Sequence, residues 1–136
     1  MRWIIQRKVL KKLCDIIEYN FKNQDLLKTA LTHSSYANEA KNKRISDNER
    51  LEFLGDSVLG LVTTTYLYNK YPDVMEGELT KKRASLVCET SLCKCARKIS
   101  LGEFLLLGRG EESGGGRDRD SILADAFEAL IGALYL

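Results

Sequence analysis

The sequence predicts an all-α fold, a single helical domain, on three observations. No segment sustains the alternation of apolar and polar residues that marks a half-buried strand. Apolar residues recur instead at helical spacing. The one proline, Pro72, and the clustered glycines divide the chain into segments of helix length. With 136 residues and 44% hydrophobic content, the chain has the material for one core.

The elements follow in order. Ile5, Val9, Leu13, Ile16 and Ile17 keep the 3.6 period and predict a helix from Ile4 to Glu18. Asn23 is placed to cap a short helix carrying Leu26, Leu27, Ala30 and Leu31. Ser34 to Arg44 is polar and unpatterned, which reads as a loop. Ser46 followed three residues later by Glu49 is a capping-box pattern, opening a long helix from Asp47 to Asn69 that Pro72 ends. Glu78–Val87 and Ser91–Ile99 are two further helices. Leu101 to Leu107 is a short apolar stretch before a Gly-rich connection, Gly108 to Arg119, which lacks the Gly-x₄-Gly-Lys-Ser/Thr pattern of a phosphate loop. An apolar helix from Ser121 closes the chain.

Two of these helices carry acids where acids are costly. With Glu52 set at zero on an ideal helix, Asp56 falls at about 40° and Glu49 at about 60°, one acidic stripe. Leu54, Val58, Leu61 and Val62 flank it on one side and Phe53 on the other, with Arg50 the only base nearby. In the last helix, Asp125 and Glu128 share a face at i, i+3, and every other residue from Ile122 to Leu136 is apolar, Gly or Tyr. Buried carboxylates protonate, pair with a base, or bind a cation. Core ion pairs are the ordinary solution, but neither acidic pair has interleaved bases. Packing the two helices together brings Glu52, Asp56, Asp125 and Glu128 into one all-oxygen site, whose hard ligands suit Mg²⁺, with Mn²⁺ as a substitute.

The stretches Asn48-Glu-Arg-Leu-Glu-Phe-Leu-Gly-Asp, Glu76-Gly-Glu-Leu-Thr-Lys-Lys-Arg-Ala-Ser-Leu-Val and Ser121-Ile-Leu-Ala-Asp-Ala-Phe-Glu-Ala-Leu-Ile-Gly-Ala closely resemble the catalytic domain of bacterial ribonuclease III. Ala30-Leu-Thr-His-Ser-Ser-Tyr fits the same family, and the resemblance spans nearly the whole chain. It implies metal-dependent hydrolysis of double-stranded RNA to staggered ends with 5′-phosphate and 3′-hydroxyl groups, in RNA processing. Carried over by motif, Glu52, Asp125 and Glu128 are metal ligands, Asp56 lies at or next to the metal, and loss of Asp56 or Glu128 is the most damaging. Glu49 and Glu76 match further family acids that support substrate or site geometry; each also has a local use, in a capping box or at a helix N-terminus.

Composition reads the Gly-rich segment as a surface connection. The resemblance adds that Arg109, Arg117 and Arg119 approach the nucleic-acid backbone. It also implies a homodimer in which the helix bearing Phe53 lines the interface, since Phe53 projects away from the main apolar arc. Family members usually continue into a double-stranded RNA-binding domain, absent from these residues, so the chain is expected to be a fragment that binds RNA weakly and best at low salt. The alternatives are a catalytically idle module of the same fold that binds double-stranded RNA or dimerises, and a structural domain with core ion pairs. Intact acids at every motif position speak against an idle module.

The remaining residues narrow the field. Lys+Arg 21 against Asp+Glu 19 leaves only +2, which by itself points to no polyanion. There is neither a run of 18 apolar residues nor a signal-peptide pattern, so a soluble cytoplasmic protein without membrane contact is expected. The cysteines, Cys14, Cys88, Cys93 and Cys95, include no Cys-x₂-Cys pair, and His33 is the only histidine, so buried reduced thiols are expected rather than structural zinc. His33 reads as a structural residue at a helix end, and Lys81, Lys82 and Arg83 as a solvated helix face.

Overall fold

A computed structural model describes the backbone of residues 2–40 and 45–136 and the side chains of residues 8–40 and 45–136. Among the described residues the α-helices are α1 (Arg2–Ile16), α2 (Gln24–Ala30), α3 (Ser34–Glu39), α4 (Glu49–Lys70), α5 (Glu76–Leu86), α6 (Glu89–Lys98), α7 (Arg109–Ser113) and α8 (Asp120–Tyr135). Short 3₁₀ turns form at Leu101–Phe104 and Gly116–Asp118, and the only β-type pairing described is an isolated parallel bridge between Thr32 and Leu106. The all-α expectation holds.

The core is built on α8. Ile122, Leu123, Ala124, Ala126, Ala129, Leu130 and Ala133 are all buried, so this helix is enclosed on most sides. Long α4 lies along it as the most extensive helix pair in the domain. Two glycines permit the closeness. A Cβ at Gly55 would overlap the backbone carbonyl of Glu128, and one at Gly132 would overlap that of Leu51. Leu27, Ala30 and Leu31 close one flank of the core and Leu92, Cys93 and Ala96 another, with Leu101, Phe104, Leu105 and Leu107 beneath.

Several boundaries and faces differ from the sequence reading. α1 buries Leu10, Leu13 and Cys14, whereas Val9 and Ile16 are exposed. Two overlapping apolar stripes exist on that helix, and packing against Phe104 and its neighbours selects one; Ile5 lies outside the described side chains. The stretch expected as a loop from Ser34 contains α3, and the Gly-rich connection contains α7. Both helices are short and lack an apolar stripe, so periodicity could not reveal them; positions 41–44 of that expected loop lie outside the described residues.

At the start of α4 the capping box does not form. Asp47 Oδ1 accepts from the Glu49 N–H at 3.2 Å, in the role expected of Ser46. Asn23 does cap α2, accepting from the Asp25 N–H at 3.0 Å. Of the four cysteines, Cys14 and Cys93 are buried free thiols as expected, while Cys88 and Cys95 are exposed free thiols. No described helix is long and apolar enough to cross a membrane.

Candidate metal centre

Packing α4 against α8 joins their acidic faces. Glu52, Asp125 and Glu128 each offer a carboxylate oxygen, and these oxygens lie within 4.8 Å of one another. The backbone explains the convergence: Glu128 is the residue whose carbonyl meets Gly55, one turn from Glu52, so the closest approach of the helices is also where the acids are brought together.

Asp56 stands beside this trio rather than within it. Its side chain is exposed, yet its charge acts on both Glu52 and Glu128. Glu49 acts on Glu52 in the same way from the preceding turn. Glu76 lies apart, on α5, where it accepts from the Thr80 hydroxyl at 2.7 Å and lines a cavity of about 240 Å³ with Thr64, Tyr68 and Arg83. Nothing in the sequence singled out Glu89. It opens α6, where an acid reads as ordinary first-turn chemistry, but its charge reaches Asp125.

The cluster is electrostatically strained. Desolvation, then the charges of Asp56, Glu52 and Asp125, pushes the Glu128 carboxyl up to about 7. Glu52 is raised by desolvation first, then by Asp125, Glu49 and Asp56. Asp125 is raised by desolvation and Glu89, with His33 acting in the opposite direction. Hard carboxylate oxygens, partly dehydrated and repelling one another, form a donor set that fits a divalent cation, which would relieve both penalties.

That strain has a measurable sign. Between its ordinary value of 4.5 and about 7, folded Glu128 keeps a proton that the unfolded chain releases. Its contribution to metal-free stability is therefore greatest below pH 4.5 and is lost as pH rises through about 7. Glu128 is only partly buried, so solvent screening reduces the effect to the order of 1 kcal/mol. In EDTA, the stability of wild type relative to Glu128→Gln is expected to fall by that amount between pH 5 and pH 8. Urea unfolding of both proteins at the two pH values measures it, and a rise would refute the strained cluster.

Two arginines of the Gly-rich segment are tied by their side chains to partners within the fold. Arg117 Nη1 donates to the carbonyls of Gly102 and Leu105 at 2.8 and 2.7 Å, and its remaining nitrogens hold Glu112. Arg119 pairs with Glu111 at 2.6 Å. Arg109 has no side-chain ion pair among the described residues; its backbone N–H donates to Glu39 at 2.9 Å. Phe53 is 79% exposed on α4, and Leu61, Val62 and Tyr68 further along that helix are exposed too.

Comparison with known proteins gives a consistent picture. A family model described as Ribonuclease-III-like matches residues 23–136. A protein of Caldanaerobacter subterraneus subsp. tengcongensis named Ribonuclease 3 is 64% identical over 120 residues, covering 88% of this chain and 52% of the relative. Ribonuclease 3 of Listeria monocytogenes is 53% identical over 126 residues, covering 93% and 55%. The chain thus spans about half the length of the curated relatives it matches. A solved nuclease domain of ribonuclease III from Campylobacter jejuni, described as flexible in a region involved in dimer formation, superposes with a TM-score of 0.85 at 47% identity. That match covers 93% of this chain and 84% of the solved one.

Proposed function

The chain belongs to the ribonuclease III family, and from that membership we propose that it is the nuclease domain of a divalent-metal-dependent endonuclease that cuts double-stranded RNA in cytoplasmic RNA processing. The products are staggered, with 5′-phosphate and 3′-hydroxyl ends. The observation that carries this reading is the meeting of Glu52, Asp125 and Glu128 within 4.8 Å in a partly desolvated site.

Glu52, Asp125 and Glu128 would hold the ion, with Asp56 beside them. Mg²⁺ is the expected occupant, with Mn²⁺ as a substitute. When bound, the ion supplies Lewis-acid neutralisation of charge on the scissile phosphate. The protein contributes rigidity: both acidic pairs project from packed helices, so the carboxylates need little reorganisation as charge develops. Glu128 must release its carboxyl proton for the ion to bind, which favours binding above about pH 7. Glu49 supports Glu52 from the adjacent turn. Among the described residues, Arg117 and Arg119 have ion-pair partners within the loop and Arg109 has none, so Arg109 is the loop arginine assigned to phosphate contact while Arg117 and Arg119 shape the loop that presents it.

A duplex RNA incubated with the domain is expected to be cut in Mg²⁺, left intact in EDTA, and cut far faster than the single strand. Binding without cleavage in saturating Mg²⁺ would instead mark an idle RNA-binding module.

The active species is a homodimer formed through the exposed face of α4. A monomer leaves Phe53 79% and Leu61 69% exposed, and a two-fold interface covers both. Phe53→Ala is expected to weaken dimerisation by roughly 2 kcal/mol, as loss of a central aromatic anchor does. Sedimentation of wild type and variant across micromolar concentrations measures this, and a fully active wild-type monomer would overturn it.

A further inference from the structure

Helix α3 has no place in the core: none of its six residues is buried. Two of its side chains nevertheless reach one turn of the Gly-rich segment, 73 and 70 positions away in sequence. The Ser35 hydroxyl oxygen accepts from the Gly108 N–H at 2.9 Å, and Glu39 Oε2 accepts from the Arg109 N–H at 2.9 Å. The chain leading into both is joined as well. The Leu106 N–H donates to the Leu31 carbonyl at 2.8 Å, and the His33 N–H to the Leu106 carbonyl at 3.0 Å. Gly108 has φ −65°, which any residue adopts, so the glycine is needed only for closeness. A Cβ there would lie 2.7 Å from the Ser35 carbonyl oxygen and 2.5 Å from Glu39 Oε1.

This junction opens α7, a helix of five residues that is too short to hold its own shape in water. Gly108, at its N-cap, has no side chain with which to satisfy the first N–H groups, and α3 supplies the acceptors instead. From its other end α7 is braced by ion pairs, Glu112 with Arg117 and Glu111 with Arg119. Among the described residues, Arg109 is then the one charged side chain of α7 without an ion pair. The bracing thus surrounds a single uncommitted cation.

We propose that Ser35 and Glu39 are positioning residues that clamp the Gly108–Arg109 turn and so present Arg109 to a phosphate of duplex RNA. The inference rests on the assignment of Arg109 to phosphate contact above. A cation on a loop held before the ligand arrives loses less freedom on binding than one on a loose loop. Glu39 also suits the task by charge, since a carboxylate makes a stronger bond to an N–H at a helix start than a neutral acceptor does.

The clamp and the bare charge of Glu39 predict opposite signs. Removing an acid from a surface that meets RNA by itself tightens binding, whereas removing the clamp weakens it. Fluorescence anisotropy measures duplex RNA affinity in EDTA across a range of salt concentrations for wild type, Arg109→Ala, Glu39→Ala, Glu39→Gln and the double variant Glu39→Ala/Arg109→Ala. Thermal midpoints are recorded alongside. Arg109→Ala is expected to bind on the order of 5-fold more weakly, with the salt slope reduced by about one. Glu39→Ala is expected to weaken binding in the same direction, and to add no further loss once Arg109 is gone. Glu39→Gln keeps an acceptor for the Arg109 N–H without the charge, and is expected to bind at least as tightly as wild type. Wild-type or tighter binding by Glu39→Ala would overturn the clamp, as would losses that add in the double variant or that follow the melting temperatures alone. Wild-type affinity and salt slope in Arg109→Ala would instead remove the phosphate contact, and the clamp's purpose with it.

Discussion

Gly55→Ala is expected to unfold roughly 10 °C below the wild type, the largest stability loss of any single methyl added to α4. The added carbon has nowhere to go. It would overlap the Glu128 carbonyl and lie 3.0 Å from the Gly132 nitrogen, and both belong to the backbone of α8 rather than to a side chain that can swing aside. Relief requires the two main helices of the core to separate, which withdraws contacts along their whole length. A cost of about 3 kcal/mol, at the upper end for overpacking, is a large share of the stability of a domain this size. Gly60→Ala on the same helix is the control: an added Cβ there meets nothing within 4 Å, and helix propensity favours alanine by somewhat under 1 kcal/mol. Thermal unfolding of the two variants should diverge in opposite directions. A Gly55→Ala midpoint within about 2 °C of wild type would mean that the helices do not make this contact.

The largest functional loss is expected at Glu128. Glu128→Gln keeps the size and most of the shape of the side chain while removing a charge from the trio. Loss of groups that merely orient metal ligands costs about 10–100-fold, so loss of a ligand should lower the rate of RNA cleavage in Mg²⁺ by more than about 100-fold. The fold should survive. Glu128 is repelled by Asp56, Glu52 and Asp125, so a neutral amide relieves strain in the metal-free protein. At pH 8 without metal, the variant is therefore expected to be at least as stable as wild type. Asp56→Asn should also abolish cleavage with the fold kept, although Asp56 borders the trio rather than joining it. Single-turnover cleavage and metal-free unfolding of both variants separate these effects. Near-wild-type cleavage by Glu128→Gln would dismiss the trio as the centre of the chemistry.

Much of the architecture was legible because the governing physics is local. Apolar spacing and the single proline located α4, and the unbroken apolar run located α8. Asn23 declared the start of α2 through a cap two residues long in reach. The acids stood out for the same reason: a carboxylate on an apolar helix is anomalous wherever it occurs. Their convergence followed from the need to bury both helices against each other.

What only the tertiary structure decided involves choices between locally equivalent options, or partners far apart in sequence. α1 carries two apolar stripes, and contact with the rest of the core chose the one containing Leu10, Leu13 and Cys14. Asp47 took the capping role that Ser46 was equally placed to fill. Arg117 reads in sequence as a solvated loop cation, but the carbonyls of Gly102 and Leu105 fold around it. Glu52, Asp125 and Glu128 form the trio where α4 and α8 approach most closely, at Gly55 and the Glu128 carbonyl, while Asp56, further round α4 and exposed, stays outside. Glu89, at the start of α6, and His33, just before α3, act on Asp125 only through their charge, with no local signature in the sequence. A helix period records which residues share a face. The distance between faces on different helices is set by how closely their backbones can pack.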